Sequence, residues 1–520
     1  MTLTRRHFNA GWLAGGLLPW VGGCANTAQG FDAQSNVLTV PQGALQGRVD
    51  NGIHSFKRIP YAANPYVPER AYAAPQPAPS WSGLRDATRF GPMPPQPSRG
   101  APQTMVGEPD DLCLNIWTPS MDAAAKLPVM VWIPGGAYIR VDASEPWYDG
   151  SAFARDGVVL VSINYRVGAH GFLVLPDAPS NRGILDQIAA LQWVRDHIAH
   201  FGGDASRVTV FGQSAGASSV AALLGAPAAR GLFAQAALQS PAQGYLTLAQ
   251  AARVTPAFAQ ALGESATRDA FARIGLKTLI DASIKLDAAA ADARVWSELA
   301  YTKILQPVID GVAMRQPPAA QLAAGASKDV PILIGSNDEE FKLYLVPGGA
   351  IDRIPEPAVA GMVATLKLPP EMPAVYRVGR PNATPGEVFS AINSDYVFRN
   401  AAQAQALAHA KAGGAPTYAY QFGWRSPQFG GRLGAAHVLD VPFVFDTLRT
   451  PPALGFVGPA APQELATRMH AAWVAFAKTG KPGWQAYDDA GRTVMRFDTV
   501  STTVREGGER ERALWSSVVY

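Results

Sequence analysis

Residues 201–216 read Phe-Gly-Gly-Asp-Ala-Ser-Arg-Val-Thr-Val-Phe-Gly-Gln-Ser-Ala-Gly, and this stretch decides the fold. Val208, Val210 and Phe211 form a short apolar strand with no Pro in it. Gly212-Gln213-Ser214-Ala215-Gly216 follows at once, and a run rich in Ala, Val and Leu continues to Leu224. The order is strand, tight turn, helix, with a Ser at the apex. Gly on either side lets strand and helix approach closely and puts Ser214 in a strained backbone with its hydroxyl exposed. The new helix sets backbone N–H groups, and its positive dipole end, beside that hydroxyl. A bare Gly-x-Ser-x-Gly arises by chance in a chain with 50 Gly. The strand before it and the helix after it make Ser214 a candidate nucleophile.

Working outward, residues 114–117 and 129–133 read as strands, the second a continuous apolar run of the kind that buried strands show. Residues 158–164, 236–239, 331–335 and 418–422 read as further strands. Residues 186–201 form a helix on which Ile188, Leu191, Val194, Ile198 and Phe201 recur on one face. Residues 250–325 and 399–412 are Ala-rich and helical in character. A helix over 465–477 buries Leu465, Met469, Trp473 and Phe476, and stops at Gly480 and Pro482. Residues 59–109, dense in Pro, read as an irregular surface layer. Strands alternating with helices, with no repeat or internal linker, predict one α/β domain over 36–520. Its architecture is a doubly wound, mostly parallel central sheet with helices on both faces and helical insertions.

The chain of 520 residues, 48% hydrophobic, can bury a large core. Its net charge of +3 comes without a long basic run, so no nucleic-acid partner is expected. No apolar stretch is long enough to span a membrane. Thr4-Arg5-Arg6-His7-Phe8, followed by a short apolar run over 10–21, is a twin-arginine signature with a signal-type core. Val21-Gly22-Gly23-Cys24 resembles a lipoprotein processing box, after which Cys24 would be the lipidated first residue and a membrane attachment. The alternative is an ordinary signal peptide cut near Ala28. The expectation is a signal over 1–24, a tether over 25–35, and export to the periplasm or beyond. The only other Cys is Cys113, so no structural disulfide is expected. No feature of the sequence sets an oligomeric state.

A Ser hydroxyl needs a base to take its proton, and the base needs an acid to orient it. With the nucleophile on such a turn, the chain order is Ser, then Asp or Glu, then His. Of eight His, only His409, His437 and His470 follow Ser214. His409 and His470 sit in helical runs, whereas His437 lies in the loop-like Gly434-Ala435-Ala436-His437-Val438-Leu439-Asp440 and is the candidate base. The acid should leave a strand end between the two. Asp338, Glu339 and Glu340 follow the strand at 331–335, and the pattern alone does not choose among them. His197 and His200 share a helix but lack a third ligand at a recognisable spacing, so no metal or cofactor is expected.

From about residue 56 to 498 the chain resembles the type-B carboxylesterase and cholinesterase family of α/β-hydrolases. The resemblance rests on residues 201–216, on the preceding helix over 181–203, and on Asn164-Tyr165-Arg166-Val167-Gly168 with Gly171-Phe172-Leu173. Ile59-Pro60-Tyr61-Ala62 and Leu114-Asn115-Ile116-Trp117 are further landmarks. It implies a serine esterase acting on a small-molecule ester through an acyl-enzyme. The implied triad is Ser214, His437 and Glu340, with Glu339 as the other choice. It also implies an oxyanion hole from the N–H groups of Gly136, Ala137 and Ala215, where losing one donor typically costs about 100- to 1,000-fold in rate. Gln213, Ser240 and Asp440 fall at supporting positions behind the triad.

Several departures from the family pattern stand out. Pro134-Gly135-Gly136-Ala137 replaces the usual His-Gly-Gly-Gly, and Gln213 replaces a Glu whose charge would favour the imidazolium. Pro94 and Asp111 occupy the positions of a frequent disulfide, and no aromatic residue lies between Gly91 and Asp111 to bind a choline cation. Short-chain esters are the first expectation, with Trp296, Tyr301, Phe341 and Tyr344 as candidate pocket walls whose default reading is apolar core. Lipid, aromatic and complex natural esters stay open. The alternative class is a catalytically weak or inactive binding or scaffold protein, and the complete Ser, Glu and His argue against it.

Overall fold

The structure is a computed structural model that describes residues 34–290, 296, 299, 303–516 and 518. Arg5, Arg6 and Cys24 of the expected leader, residues 25–33 of the tether, and Tyr301 lie outside the described residues. Twelve strands form the main path of one sheet. They are β1 (Gln34–Val40), β2 (Gly43–Asp50), β3 (Ile53–Pro60), β4 (Cys113–Thr118), β5 (Leu127–Ile133) and β6 (Val159–Ile163). Then come β7 (Gly203–Gln213), β8 (Gln235–Gln239), β9 (Ile332–Asn337), β10 (Thr417–Phe422), β11 (Thr493–Phe497) and β12 (Thr502–Arg505). Their spatial order is β1-β2-β3-β4-β6-β5-β7-β8-β9-β10-β11-β12. Neighbours from β6 to β11 run parallel, and the pairs at both margins run antiparallel. This is the expected α/β-hydrolase architecture. The strand β1 begins two residues inside the stretch expected to be tether.

Side chains alternate between the two faces of a strand, and both faces of the central strands are buried. Val129, Val131, Val210, Leu238 and Ile334 face one core, shared with α1 (Arg182–His197) and α2 (Ala215–Gly225). Met130, Trp132, Phe211 and Leu333 face the other. There Trp132 packs against Phe211 and Phe445, with ring centroids 4.8 and 4.9 Å apart. The late helix α3 (Gln463–Thr479) buries Leu465, Met469, Trp473 and Phe476 against it, and ends at Gly480 with φ 72°.

Helix α1 starts at Arg182, four residues earlier than the apolar periodicity implies. Its first turn is held by polar groups instead: the buried Arg182 guanidinium donates to the carbonyls of His170, Pro179, Ala169 and Leu173. Asp186 takes both Nε and Nη2 of Arg166, at 2.8 and 2.7 Å, and the Arg166 backbone N–H as well. This buried, fully hydrogen-bonded pair ties the segment after β6 to α1, and so fixes the wall beside the central strands.

β6 lies on one side of β5 and β7 on the other, so the strand order reverses at β5. A crevice at the carboxyl ends is expected at such a reversal. Registers align these ends: Ile133 pairs with Gly212, Gln213 with Gln239, and Gln239 with Gly335.

Asp111, one of the lost disulfide positions, is fully buried. It accepts a hydrogen bond from Tyr66 Oη at 2.8 Å, while its Oδ1 has no partner. Cys113 nearby is a buried free thiol that burial pushes up to about 12. Burial pushes the Asp111 carboxyl up from 3.8 to about 7, opposed by the Tyr66 bond. Because the folded value is raised, the native state holds a proton that the unfolded chain releases. The associated stability is therefore lost as pH climbs from about 4 towards 7. Asp111→Asn removes this term. In urea titrations the variant should exceed the parent in stability at about pH 8, with the advantage shrinking towards pH 4; an advantage independent of pH would refute the buried-acid account.

Candidate active site

Ser214 stands between β7 and α2 with φ 58° and ψ −126°, a backbone conformation rare for any residue with a side chain. Its N–H donates to Gln239 O and its carbonyl accepts from Ser218 N–H, both at 2.9 Å, which anchors the turn to β8 and α2. The flanking glycines are steric requirements. A Cβ on Gly216 would lie 1.9 Å from Ile133 O, and one on Gly212 would lie 2.6 Å from Gly216 C.

His437 reaches the elbow from the loop after β10. Its Nδ1 is 2.6 Å from Glu340 Oε2, and its backbone N–H donates to Glu340 O. The other carboxylate oxygen, Oε1, accepts from Asn337 N–H at 2.7 Å, so Glu340 is held at both oxygens with no exposure. The neighbouring acids go elsewhere. Glu339 faces Lys342 and Arg425, and Asp338 faces Arg496 and Gln421. Burial opposes the charge on Glu339, but Lys342, the Ala435 N–H and Arg425 hold it below the ordinary Glu range.

On its open side His437 Nε2 lies 3.0 Å from Gln213 Nε2. With the ring proton on Nδ1 facing Glu340, Nε2 is an acceptor and the Gln213 amide donates to it. Among the described residues the side-chain hydrogen bonds of His437 go to Glu340 and Gln213, not to Ser214. Phe398 packs against the imidazole with centroids 4.2 Å apart and the rings tilted by 34°, and Tyr344 lies at 5.9 Å.

Behind this group Asp440 Oδ2 accepts from Gln239 Nε2 at 2.9 Å and Tyr420 Oη at 3.0 Å. Burial raises its carboxyl above the usual range, opposed by the Gln239 bond. Asn337 links the two carboxylates: its backbone serves Glu340, and its Nδ2 serves Ala436 O at 2.8 Å and reaches Asp440 Oδ1 at 3.4 Å. Ser240 is buried beside them at φ 51°, but its Oγ has no partner, so only its backbone, donating to Gly335 O, ties it in.

The turn after β5 carries Gly136 at φ 136° and Ala137 at φ 56°. An Ala in the left-handed region carries strain that the usual Gly would not. Pro134 has no polar side chain to brace this turn, yet its carbonyl accepts from Tyr165 Oη at 2.9 Å. Tyr138 O likewise accepts from Gly168 N–H at 2.7 Å. Gly136, Ala137 and Ala215 all line a cavity of about 630 Å³ together with Ser214 and His437. Phe341 and Tyr344 line it as expected, whereas Trp296 packs into the core instead.

Three supporting residues escaped the sequence reading. Asn337 heads an acidic run, where a neutral amide gives no signal of its own beside three carboxylates. Tyr420 was read only as strand. Phe398 comes from a single π-helical turn, Asp395–Arg399, whose irregular spacing leaves no periodic signal. Among the described residues no group of three or more His, Cys, Asp or Glu is placed to hold a metal ion.

The profile of the carboxylesterase family matches residues 34–356 and 377–515. Para-nitrobenzyl esterase of Bacillus subtilis (strain 168) is 35% identical over 506 residues, spanning 92% of this chain and 97% of that protein. Fumonisin B1 esterase of Sphingopyxis macrogoltabida is 33% identical, spanning 88% and 85%. Among solved structures, the carboxylesterase EST55 of Geobacillus stearothermophilus superposes with a TM-score of 0.80 at 35% identity, covering 92% of this chain and 99% of that one.

The contact at Gly216 can be tested without any substrate. Gly216→Ala forces backbone apart where nothing flexible can give way, and should lower stability by about 1–3 kcal/mol, the usual cost of overpacking. An unchanged urea midpoint would refute the close approach.

Proposed function

Since this chain belongs to the carboxylesterase family and is a carboxylic ester hydrolase, we propose that it works through an acyl-enzyme on Ser214. Ser214 Oγ attacks the ester carbonyl carbon while His437 Nε2 takes its proton. The carbonyl oxygen becomes an oxyanion that accepts from the N–H groups of Gly136, Ala137 and Ala215. None of these three donates to any described residue, which leaves them free for that oxygen. The imidazolium then gives its proton to the leaving alkoxide oxygen, the C–O bond breaks, and the acyl group stays on Ser214. Water repeats the sequence with His437 again as base, releasing the acid.

Glu340 fixes the Nδ1–H tautomer and stabilises the imidazolium. The observation that carries this reading is the 2.6 Å bond between His437 Nδ1 and Glu340 Oε2 beside a strained Ser. Gln213 adds a feature particular to this chain. Its amide occupies the acceptor that Ser214 must use, so that contact gives way when the Ser hydroxyl turns to His437. Being neutral, Gln213 adds no anion to favour the imidazolium, and that task falls to Glu340 with Asp440 behind it.

Pre-steady-state hydrolysis of p-nitrophenyl acetate and butyrate tests the mechanism. The expected result is a burst of about one p-nitrophenol per chain followed by slower turnover. Ser214→Ala should remove the burst and lower kcat/KM by about 10⁴-fold or more, with an unchanged unfolding transition. Turnover within tenfold of the parent would refute Ser214 as nucleophile.

A further inference from the structure

The cavity that Ser214 lines is bordered by two kinds of side chain. Trp147, Tyr148, Tyr344, Phe398 and Phe456 give it an aromatic lining. Gln306 and Lys303 give it a polar one. Gln306 is 4% exposed, yet its Nε2 has no hydrogen-bond partner. A buried amide that gives up water and gains nothing is costly, and such groups are rare in a folded protein.

A glycine borders the oxygen of this amide. Gly244 lies against it without a side chain: a Cβ there would meet Gln306 Oε1 at 3.4 Å and Tyr138 Cε2 at 3.7 Å. Tyr138 follows Ala137 directly, so Gln306 and the residue after the Gly136–Ala137 turn border the same glycine. Three residues before it, Lys303 lines the same cavity, and its Nζ is 2.8 Å from Asp287 Oδ2. Both side chains of that pair are largely buried, at 16% and 15% exposure. The polar lining therefore offers an unfilled N–H donor and, three residues earlier in the chain, a cation already fixed in place.

We propose that this lining is a polar subsite, and that the ester this protein is built for carries a second oxygen acceptor, a carbonyl or carboxylate, which Gln306 Nε2 holds a few bonds from the scissile ester. This rests on the esterase reading and deepens it: the substrate is amphipathic, with an apolar portion on the aromatic lining and an oxygen acceptor on Gln306. A site with a buried donor discriminates strongly against an analogue that lacks the acceptor, because that analogue leaves the donor unpaired.

The test compares kcat/KM for ethyl pentanoate, ethyl 4-oxopentanoate and monoethyl succinate by pH-stat titration. The parent should favour at least one oxygen-bearing ester over ethyl pentanoate by about tenfold or more. A preference for the ketone alone marks a neutral acceptor, and one for the half-ester marks a carboxylate drawn also by Lys303. Gln306→Leu should bring the preference to near one, and the ratio reads the contact because a general loss of packing lowers all three rates. Gln306→Glu should reverse the sign for monoethyl succinate, since the new carboxylate repels it. Hydrolysis of ethyl pentanoate with no preference in the parent, or a preference that survives both variants, overturns the subsite and leaves the esterase reading standing. No turnover of any of the three, or of p-nitrophenyl esters, overturns both.

Discussion

The backbone of α2 and the backbone of β5 meet at Gly216 and Ile133 O with no room for a side chain, and the elbow at Ser214 and the turn beside it follow from that contact. Because the helix begins so close to the sheet, the turn between β7 and α2 has only Ser214 in which to reverse direction. Its φ of 58° is the result. The strain is stable because it is over-determined: Gln239 O holds the Ser214 N–H on one side, and α2 holds its carbonyl on the other. The same contact lays the turn at Gly135–Ala137 against the elbow, where a Cβ on Gly135 would lie 2.6 Å from Gln213 O.

The parallel register then does the rest. The carboxyl ends of β5, β7, β8 and β9 form one row. From that row come the turn of Gly136 and Ala137, the elbow, Ser240, and the run that ends in Glu340. Only His437 arrives from further along, and it is pinned by its own backbone N–H to Glu340 O as well as by its ring. Two buried carboxylates, Glu340 and Asp440, share Asn337 and lie behind one imidazole. In low dielectric such acids are costly unless each oxygen finds a donor. Glu340 finds one at each oxygen; Asp440 draws on Gln239, Tyr420 and Asn337.

What could be read in the sequence divides along physical lines. The elbow was legible because Gly spacing, an apolar strand and a helical run coincide over sixteen residues, and each is a local signal. His437 followed from chain order and scarcity of His. Glu340 was not separable from Asp338 and Glu339 by pattern, since strand-end geometry decides which carboxylate turns inward. The structure sends Glu339 to Lys342 and Arg425, and Asp338 to Arg496. The strands β1 to β3 drew no assignment. In β2, GALQGRVD has two Gly and a half-exposed pattern, and it holds its place by pairing along β1 and by Gly47 lying close under Phe56. The early start of α1 was hidden for a related reason, because Arg182 is buried by hydrogen bonds rather than by hydrophobicity. Trp296 was a candidate pocket wall with apolar core as its default reading, and the core is where it packs.

On the acyl-enzyme reading, the elbow makes Ser214 the nucleophile. Titration with a fluorophosphonate, followed by intact mass and peptide mapping, checks this. One adduct per chain is expected, on the peptide carrying Ser214, with ester hydrolysis falling in proportion to labelling. Hydrolysis that persists after Ser214 is fully labelled, or that is lost with the label on another residue, would contradict it.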